Sequence, residues 1–355
     1  MTTGPVLASP TAPSPLLSQH TTLHVGGPAR AIVRATTTLD LIAAVRQADQ
    51  TDQPVLIVGG GSNLLVSDDG FPGLVVLVET TGITVESPAA GGDEVLVTVA
   101  AGEVWDDLVA MATERGWAGL ECLSGIPGRV GAAPVQNIGA YGAEVAAVIE
   151  TVRVWDRRDD HEATLRARDC DFGYRTSRFK ADPGRYLIVE VRLRLRRSSS
   201  CDPLAYPELA RRLGLTRGDV ATIGEVRQAV LDLRRGKAMV VDPADHDTWS
   251  AGSFFTNPVL DEAAADALPD EAPRFPDGTG RVKTSAAWLI EHAGFPKGYG
   301  DGPARLSTRH VLALTNRGSA TAADIIALAR RVADGVEARF GVRLVPEPVF
   351  VGCSF

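Results

Sequence analysis

Val58-Gly59-Gly60-Gly61-Ser62-Asn63-Leu64 closes one apolar run and opens a turn. Residues 55–58 read as a strand. The three glycines let the main chain turn sharply and bring N–H groups close to an anion. The stretch is not a G-x-G-x-x-G fingerprint, because Leu64 holds the last position and a strand rather than a helix follows. It is not a P-loop either, since no G-K-[S/T] occurs. Alone, it fits a tight strand-end turn as well as a phosphate cradle.

Strands and helices alternate on both sides of this turn. Residues 31–35, 74–78 and 95–100 read as strands. Residues 38–49 read as a helix with Leu39, Ile42, Ala43 and Val45 on one face and Thr38 as N-cap. A second helix, 104–115, shows the buried stripe Trp105, Leu108, Val109 and Ala112. Residues 151–155 form a strand. Residues 186–195 alternate, with Leu187, Val189, Val191, Leu193 and Leu195 opposite Glu190, Arg192, Arg194 and Arg196, which predicts a half-exposed antiparallel strand. The polar break at 198–200 puts a domain boundary between there and about 215. Beyond it lie helices at 224–235, 284–292 and 322–340 and short strands at 252–256 and 310–315.

With 355 residues the chain has room for two or three domains. Hydrophobic residues make up 45% and charged residues 23%, an ordinary globular balance that needs no disulfide staples. Lys+Arg 36 against Asp+Glu 44 leaves a net charge of -8, which argues against a nucleic-acid binder. The four cysteines are far apart and form no C-x-x-C, a pattern of free thiols in a reducing cytosol. The histidines are scattered too, so no metal site is expected. No apolar run approaches the roughly 20 residues of a membrane span. Residues 1–17 lack Lys and Arg and carry Pro5, Pro10, Pro13 and Pro15, which predicts a disordered tail rather than a signal peptide. Nothing in the sequence fixes an oligomeric state.

Four more stretches carry chemistry. Ile126-Pro127-Gly128-Arg129-Val130-Gly131-Ala132-Ala133-Pro134-Val135-Gln136-Asn137-Ile138-Gly139-Ala140-Tyr141-Gly142 is a long Gly-rich loop, unusual unless functional. Its small residues let a flat ligand lie against the main chain. In Gly173-Tyr174-Arg175-Thr176-Ser177-Arg178-Phe179-Lys180 an arginine between aromatics suits a carboxylate fork, or plain solvent exposure. Ala251-Gly252-Ser253-Phe254-Phe255-Thr256-Asn257 presents an accessible serine outside any G-x-S-x-G elbow. Pro346-Glu347-Pro348 stiffens the chain around one carboxylate.

Together the five stretches resemble one family, the bacterial UDP-N-acetylenolpyruvoylglucosamine reductases, flavoenzymes of peptidoglycan precursor synthesis. The likeness runs from residues 22–30 to Phe350. It implies an α+β chain with a vanillyl-alcohol-oxidase (PCMH)-type FAD-binding fold of two lobes over 18–200. A C-terminal α+β substrate-binding domain would cover 215–342, and 343–355 would return as a strand to the active site. The FAD diphosphate is then expected on Gly59, Gly60, Gly61, Ser62 and Asn63. The flavin is expected on Ile126, Pro127, Gly128, Gly131, Ala132, Gln136, Asn137, Gly139, Ala140, Tyr141 and Gly142. Neither loop contains His or Cys, which fits non-covalent FAD.

The resemblance also implies a reaction. NADPH reduces the flavin, and flavin N5 then passes hydride to C3 of UDP-N-acetylglucosamine enolpyruvate. A proton goes to C2, giving UDP-N-acetylmuramate in the cytoplasm. Arg175 matches the residue that stabilises the enolate-like state, Glu347 the carboxylate beside it, and Ser253 the serine that protonates C2. Tyr206 matches the substrate-capping tyrosine of one subclass. Lys237, Asn257, Lys283 and Lys297 match groups facing the UDP diphosphate and substrate. The sequence departs from the family by a longer insert at 240–249. Another flavoenzyme on this scaffold would share the FAD loops but not the Ser253, Arg175 and Glu347 set. A nucleotide-binding module would need neither Ser253 nor Glu347.

Overall fold

A computed structural model describes residues 15–86, 92–276 and 280–355. Residues 1–14 of the expected tail lie outside the described residues. Leu17, which the expected tail includes, is buried and opens the 3-10 helix Leu17–His20, so it belongs to the folded part of the chain.

The glycine turn ends the edge strand of a small parallel sheet, ordered Ala29–Ala35, Phe71–Val78, Val55–Val58. The helix Thr38–Gln50 covers it with Leu41, Ile42 and Val45. Its N-cap is Thr37 rather than the expected Thr38. Thr37 stays extended and its hydroxyl accepts the Asp40 N–H at 3.1 Å, whereas Thr38 has already entered the helix. A larger antiparallel sheet follows, ordered His161–Arg166, Ile149–Asp156, Tyr186–Arg197, Glu94–Ala100, Ile83–Glu86.

The alternating strand Tyr186–Arg197 joins the two lobes. Leu187 and Val189 pack into the core under Thr38–Gln50, while Val191, Leu193 and Leu195 pack against the helix Trp105–Glu114. Each such buried side chain contributes roughly 1.5–3 kcal/mol. On the open face Arg192 and Arg194 share Glu150 at 3.1 and 2.7 Å.

The C-terminal part builds a separate core around Phe254, Phe255 and Leu314, closed by the buried stripe Ile325, Ala329, Val332 and Val336 of the helix Ala322–Phe340. The helix Ile223–Gly236 does not join it, although the expected boundary near 215 places it there. Its Val226 and Val230 pack with Ala118, Cys201 and Leu204. Arg227 also holds Asp106 of Trp105–Glu114 with two bonds, 2.7 and 3.0 Å.

Two expected strands are shorter or missing. Residues 252–256 form a turn, because Gly252 takes φ +73 and the adjacent Phe254 and Phe255 both fill the same core rather than opposite faces. The 310–315 strand shrinks to Leu314–Asn316, because residues 307–313 turn back through the Ser307 N to Ala313 O bond at 2.8 Å.

Two tethers fix the C-terminal part to the glycine turn. The strand Val349–Val351 pairs in parallel with Leu64–Val66, directly after the turn. Asp68 accepts the Ala322 and Ala323 N–H groups at 2.7 and 3.2 Å, capping the long helix from the other domain. Asp68→Ala is therefore expected to cost about 1 kcal/mol. It should speed hydrogen exchange at the Ala322 and Ala323 amides. Unchanged protection there would show that the Thr321 capping box alone holds the helix end.

Candidate functional site

The glycine turn presses against the second Gly-rich loop. A Cβ on Gly60 would lie 2.7 Å from Gly128 Cα, and one on Gly61 (φ +60) would lie 1.8 Å from His20 O, so neither position admits a side chain. Ser62 Oγ donates to Pro127 O at 3.0 Å. The N–H groups of Gly60, Gly61, Ser62 and Asn63 donate to no other described residue. Four unspent amides on one glycine turn make a nest suited to a diphosphate.

Glu347 sits where the other pieces meet. Gln136 Nε2 donates to its Oε1 at 3.1 Å, and Arg175 Nε lies 3.2 Å from the same oxygen. Asn63 Nδ2 donates to Gln136 Oε1 at 3.0 Å and to Glu347 O at 3.3 Å. The Glu347 N–H donates to Phe254 O at 2.8 Å, which brings the serine turn alongside. Burial pushes the Glu347 carboxyl above the usual carboxylate range, although Arg175, Lys180 and the Gln136 bond work in the other direction.

Arg175 takes φ +52 and donates to the carbonyls of Asn137 (3.3 Å) and Gly139 (2.7 Å). Its Nε contact with Glu347 lacks hydrogen-bond geometry, so that N–H is buried and unsatisfied. Ser253 follows the left-handed Gly252, and its hydroxyl has no hydrogen-bond partner among the described residues. Not every expected loop residue is left for a ligand. The Asn137 side chain is spent on Glu144, Gly173 O and Ala146 N, and Gly131 packs on Ala101, where a Cβ would be 2.5 Å from Ala101 Cβ.

The other expected residues fall into two groups. Lys237 and Lys297 line a cleft of about 480 Å³ between the helix Ile223–Gly236 and the C-terminal domain, with Glu208, Arg309 and His310. Lys237 Nζ pairs with Glu208 at 2.7 Å and lies 5.9 Å from the Tyr141 ring, which Tyr206 meets edge-on at 5.5 Å. Burial pushes the Tyr141 phenol up to about 12. Lys283 Nζ lies 4.7 Å from the Tyr174 ring, near Asn257, whose Oδ1 accepts the Ala286 N–H at 3.0 Å. The insert folds onto the antiparallel pair Ala304–Leu306 and Leu314–Asn316 and the segments flanking it. Asp247 is buried and accepts from Thr308 N (3.0 Å) and Arg317 Nη1 (2.7 Å), and the Trp249 ring packs on those of His24 and His246 at 4.0 and 4.3 Å.

Two site residues escaped the sequence reading. Arg234 is buried and its Nε has no partner, while burial works against its charge. Its Nε lies 3.4 Å from where a Gly125 side chain would begin, beside the Gly-rich loop. Together with Arg175 Nε it is one of two unsatisfied buried side-chain donors among the described residues. Both border the same loop, as expected of donors reserved for an anionic ligand. Burial, then Lys237 and Lys297, push His310 down to about 4, so it is neutral in the cleft. An isolated arginine in a charged helix and a histidine heading an apolar run gave no periodic signal.

A family model for the FAD binding domain matches residues 29–163, and one for the C-terminal domain of UDP-N-acetylenolpyruvoylglucosamine reductase matches residues 242–351. The reductase of Cutibacterium acnes is 54% identical over 341 residues, 95% of this chain and 89% of its own length. That of Thermobifida fusca is 51% identical, covering 95% and 97%. The crystal structure of the Thermus caldophilus reductase superposes with TM-score 0.65 at 29% identity, over 96% of this chain and 98% of that one. The chain thus belongs to the UDP-N-acetylenolpyruvoylglucosamine reductase family and is an FAD-containing oxidoreductase with a PCMH-type FAD-binding fold.

Proposed function

We propose that this enzyme uses NADPH to reduce UDP-N-acetylglucosamine enolpyruvate to UDP-N-acetylmuramate, in the cytoplasm, for peptidoglycan precursor synthesis. The observation that carries the reading is the convergence on Glu347 of Gln136, Arg175 and the turn bearing Ser253. FAD, bound without a covalent link, would supply the hydride that reduces the enolpyruvyl group, with NADPH as its source. The unspent amides of Gly60 to Asn63 would hold its diphosphate, and the 126–142 loop its flavin.

This chain's residues then manage charge and protons. Hydride addition at C3 leaves negative charge at C2 and on the substrate carboxylate. The guanidinium of Arg175, fixed by two carbonyls and carrying an unsatisfied N–H, suits stabilisation of that charge. Glu347 stands beside it and keeps its proton to higher pH than an exposed glutamate. Ser253 gives its proton to C2. A free serine is a very weak acid, so the step needs a strongly basic acceptor and good placement. Lys237 and Lys297, as mobile point charges, suit the UDP diphosphate in the cleft. Lys283 and Asn257 would face the substrate from beside Tyr174, and Tyr206 would cap it.

Ser253→Ala is expected to leave flavin reduction by NADPH within about twofold of wild type. It should slow flavin reoxidation by the enolpyruvyl nucleotide about 10²–10⁴-fold. Equal loss in both half-reactions would remove Ser253 as proton donor. Tyr206→Phe should raise the apparent Kd for the nucleotide with little change in the limiting reoxidation rate. An unchanged Kd would argue against capping.

A further inference from the structure

Gly173 and Thr176 bond each other in both directions, at 3.1 and 3.2 Å, so Tyr174 and Arg175 are the central pair of a tight turn. Arg175 occupies the second central position with φ +52. Glycine or asparagine would take that left-handed conformation at least cost, and an arginine there stores strain. The strained backbone is what lets the guanidinium reach Asn137 O, Gly139 O and Glu347 together. Something must stop it relaxing. Lys180, in the short helix Arg178–Ala181, folds back and donates from Nζ to Arg175 O at 2.9 Å. That helix is itself fastened to the flavin loop, because its N-cap Ser177 donates from Oγ to Val135 O.

We propose that Lys180 is a positioning residue: its ammonium pins the carbonyl of the left-handed Arg175, and its charge sets a second cation beside Glu347. The inference rests on the catalytic reading of Arg175 and Glu347 and adds what holds them. It explains why a partly buried lysine is spent on a main-chain carbonyl rather than on an acidic partner. The titratable and charged groups that face the Glu347 carboxyl are Arg175 and Tyr174 from the turn and Lys180 from the helix. The flavin-side loop 126–142 adds only the uncharged Gln136 amide to the carboxyl, while the Asn63 amide and the Phe254 carbonyl meet the Glu347 main chain instead. Burial holds the carboxyl above its ordinary range, and both cations oppose that. Removing the Lys180 charge must therefore move the Glu347 titration to still higher pH.

Three variants separate the anchor from the charge: Lys180→Met, Lys180→Gln and Lys180→Arg. The Glu347 carboxyl is titrated by carbon-13 NMR in glutamate-labelled protein, with Glu347→Gln to assign the signal. In parallel, dithionite-reduced enzyme is mixed with UDP-N-acetylglucosamine enolpyruvate and flavin reoxidation is timed. Lys180→Met should titrate at higher pH than wild type and reoxidise at least about tenfold more slowly. Lys180→Gln keeps a donor for the carbonyl, so it should recover most of the rate yet share the shifted titration. Lys180→Arg should restore the titration. Identical Glu347 titrations in all four proteins would overturn the proposal and leave Lys180 a merely structural side chain. If Lys180→Met does not fold, the Gln and Arg variants decide. A wild-type enzyme that the enolpyruvyl nucleotide fails to reoxidise would sink the functional reading, while the titrations would still judge Lys180.

Discussion

The parallel pairing of Val349–Val351 with Leu64–Val66 is the constraint from which the site follows. Only three residue pairs make it, yet they join the last strand of the chain to the first residues after the glycine turn. Val349 N donates to Asn63 O at 2.9 Å, which fixes the register. A slip of one residue would turn Glu347 to the opposite face. In the observed register its carboxyl meets the 126–142 loop and the Arg175 turn, and its main chain meets the serine turn. Four segments separated by up to 284 residues thus share one side chain or its backbone.

Such a junction is expensive to bury and so must be well compensated. A carboxylate removed from water needs a cation and hydrogen bonds, and stripping one partner leaves an unpaired charge. Glu347 has both kinds of partner, but the compensation is incomplete. Arg175 Nε remains without a hydrogen bond, as does Arg234 Nε deeper in the same region. Orphaned cationic donors beside a nest of free amides describe a site built for anions. Under the proposed function, a diphosphate and a substrate carboxylate are the groups that would bind there.

The sequence carried the parts whose signals are local. Three consecutive glycines after an apolar strand, the strict alternation of 186–195 and the 322–340 period each survive in the structure. Glu347 was readable as a stiffened carboxylate between two prolines. Its partner Arg175 came only from the family resemblance, and its contacts with Asn63, Gln136 and Phe254 were not legible, because they depend on strand register between residues nearly 300 apart. Gly252–Thr256 resembled a strand because Ser-Phe-Phe-Thr is rich in strand formers, but both phenylalanines fill one core. The packing of the helix Ile223–Gly236 was not legible, since the polar break at 198–200 says nothing of where Arg227 finds Asp106. Arg234 and His310 are isolated in sequence and acquire meaning only from burial.

The most direct test is anaerobic absorbance at the oxidised-flavin band. The protein is mixed with NADPH and then with UDP-N-acetylglucosamine enolpyruvate. Bleaching by NADPH, followed by full recovery when the sugar nucleotide is added, is the predicted result. Bleaching that recovers only when air is admitted would keep the FAD fold but contradict the assignment of Ser253, Arg175 and Glu347 to enolpyruvyl reduction.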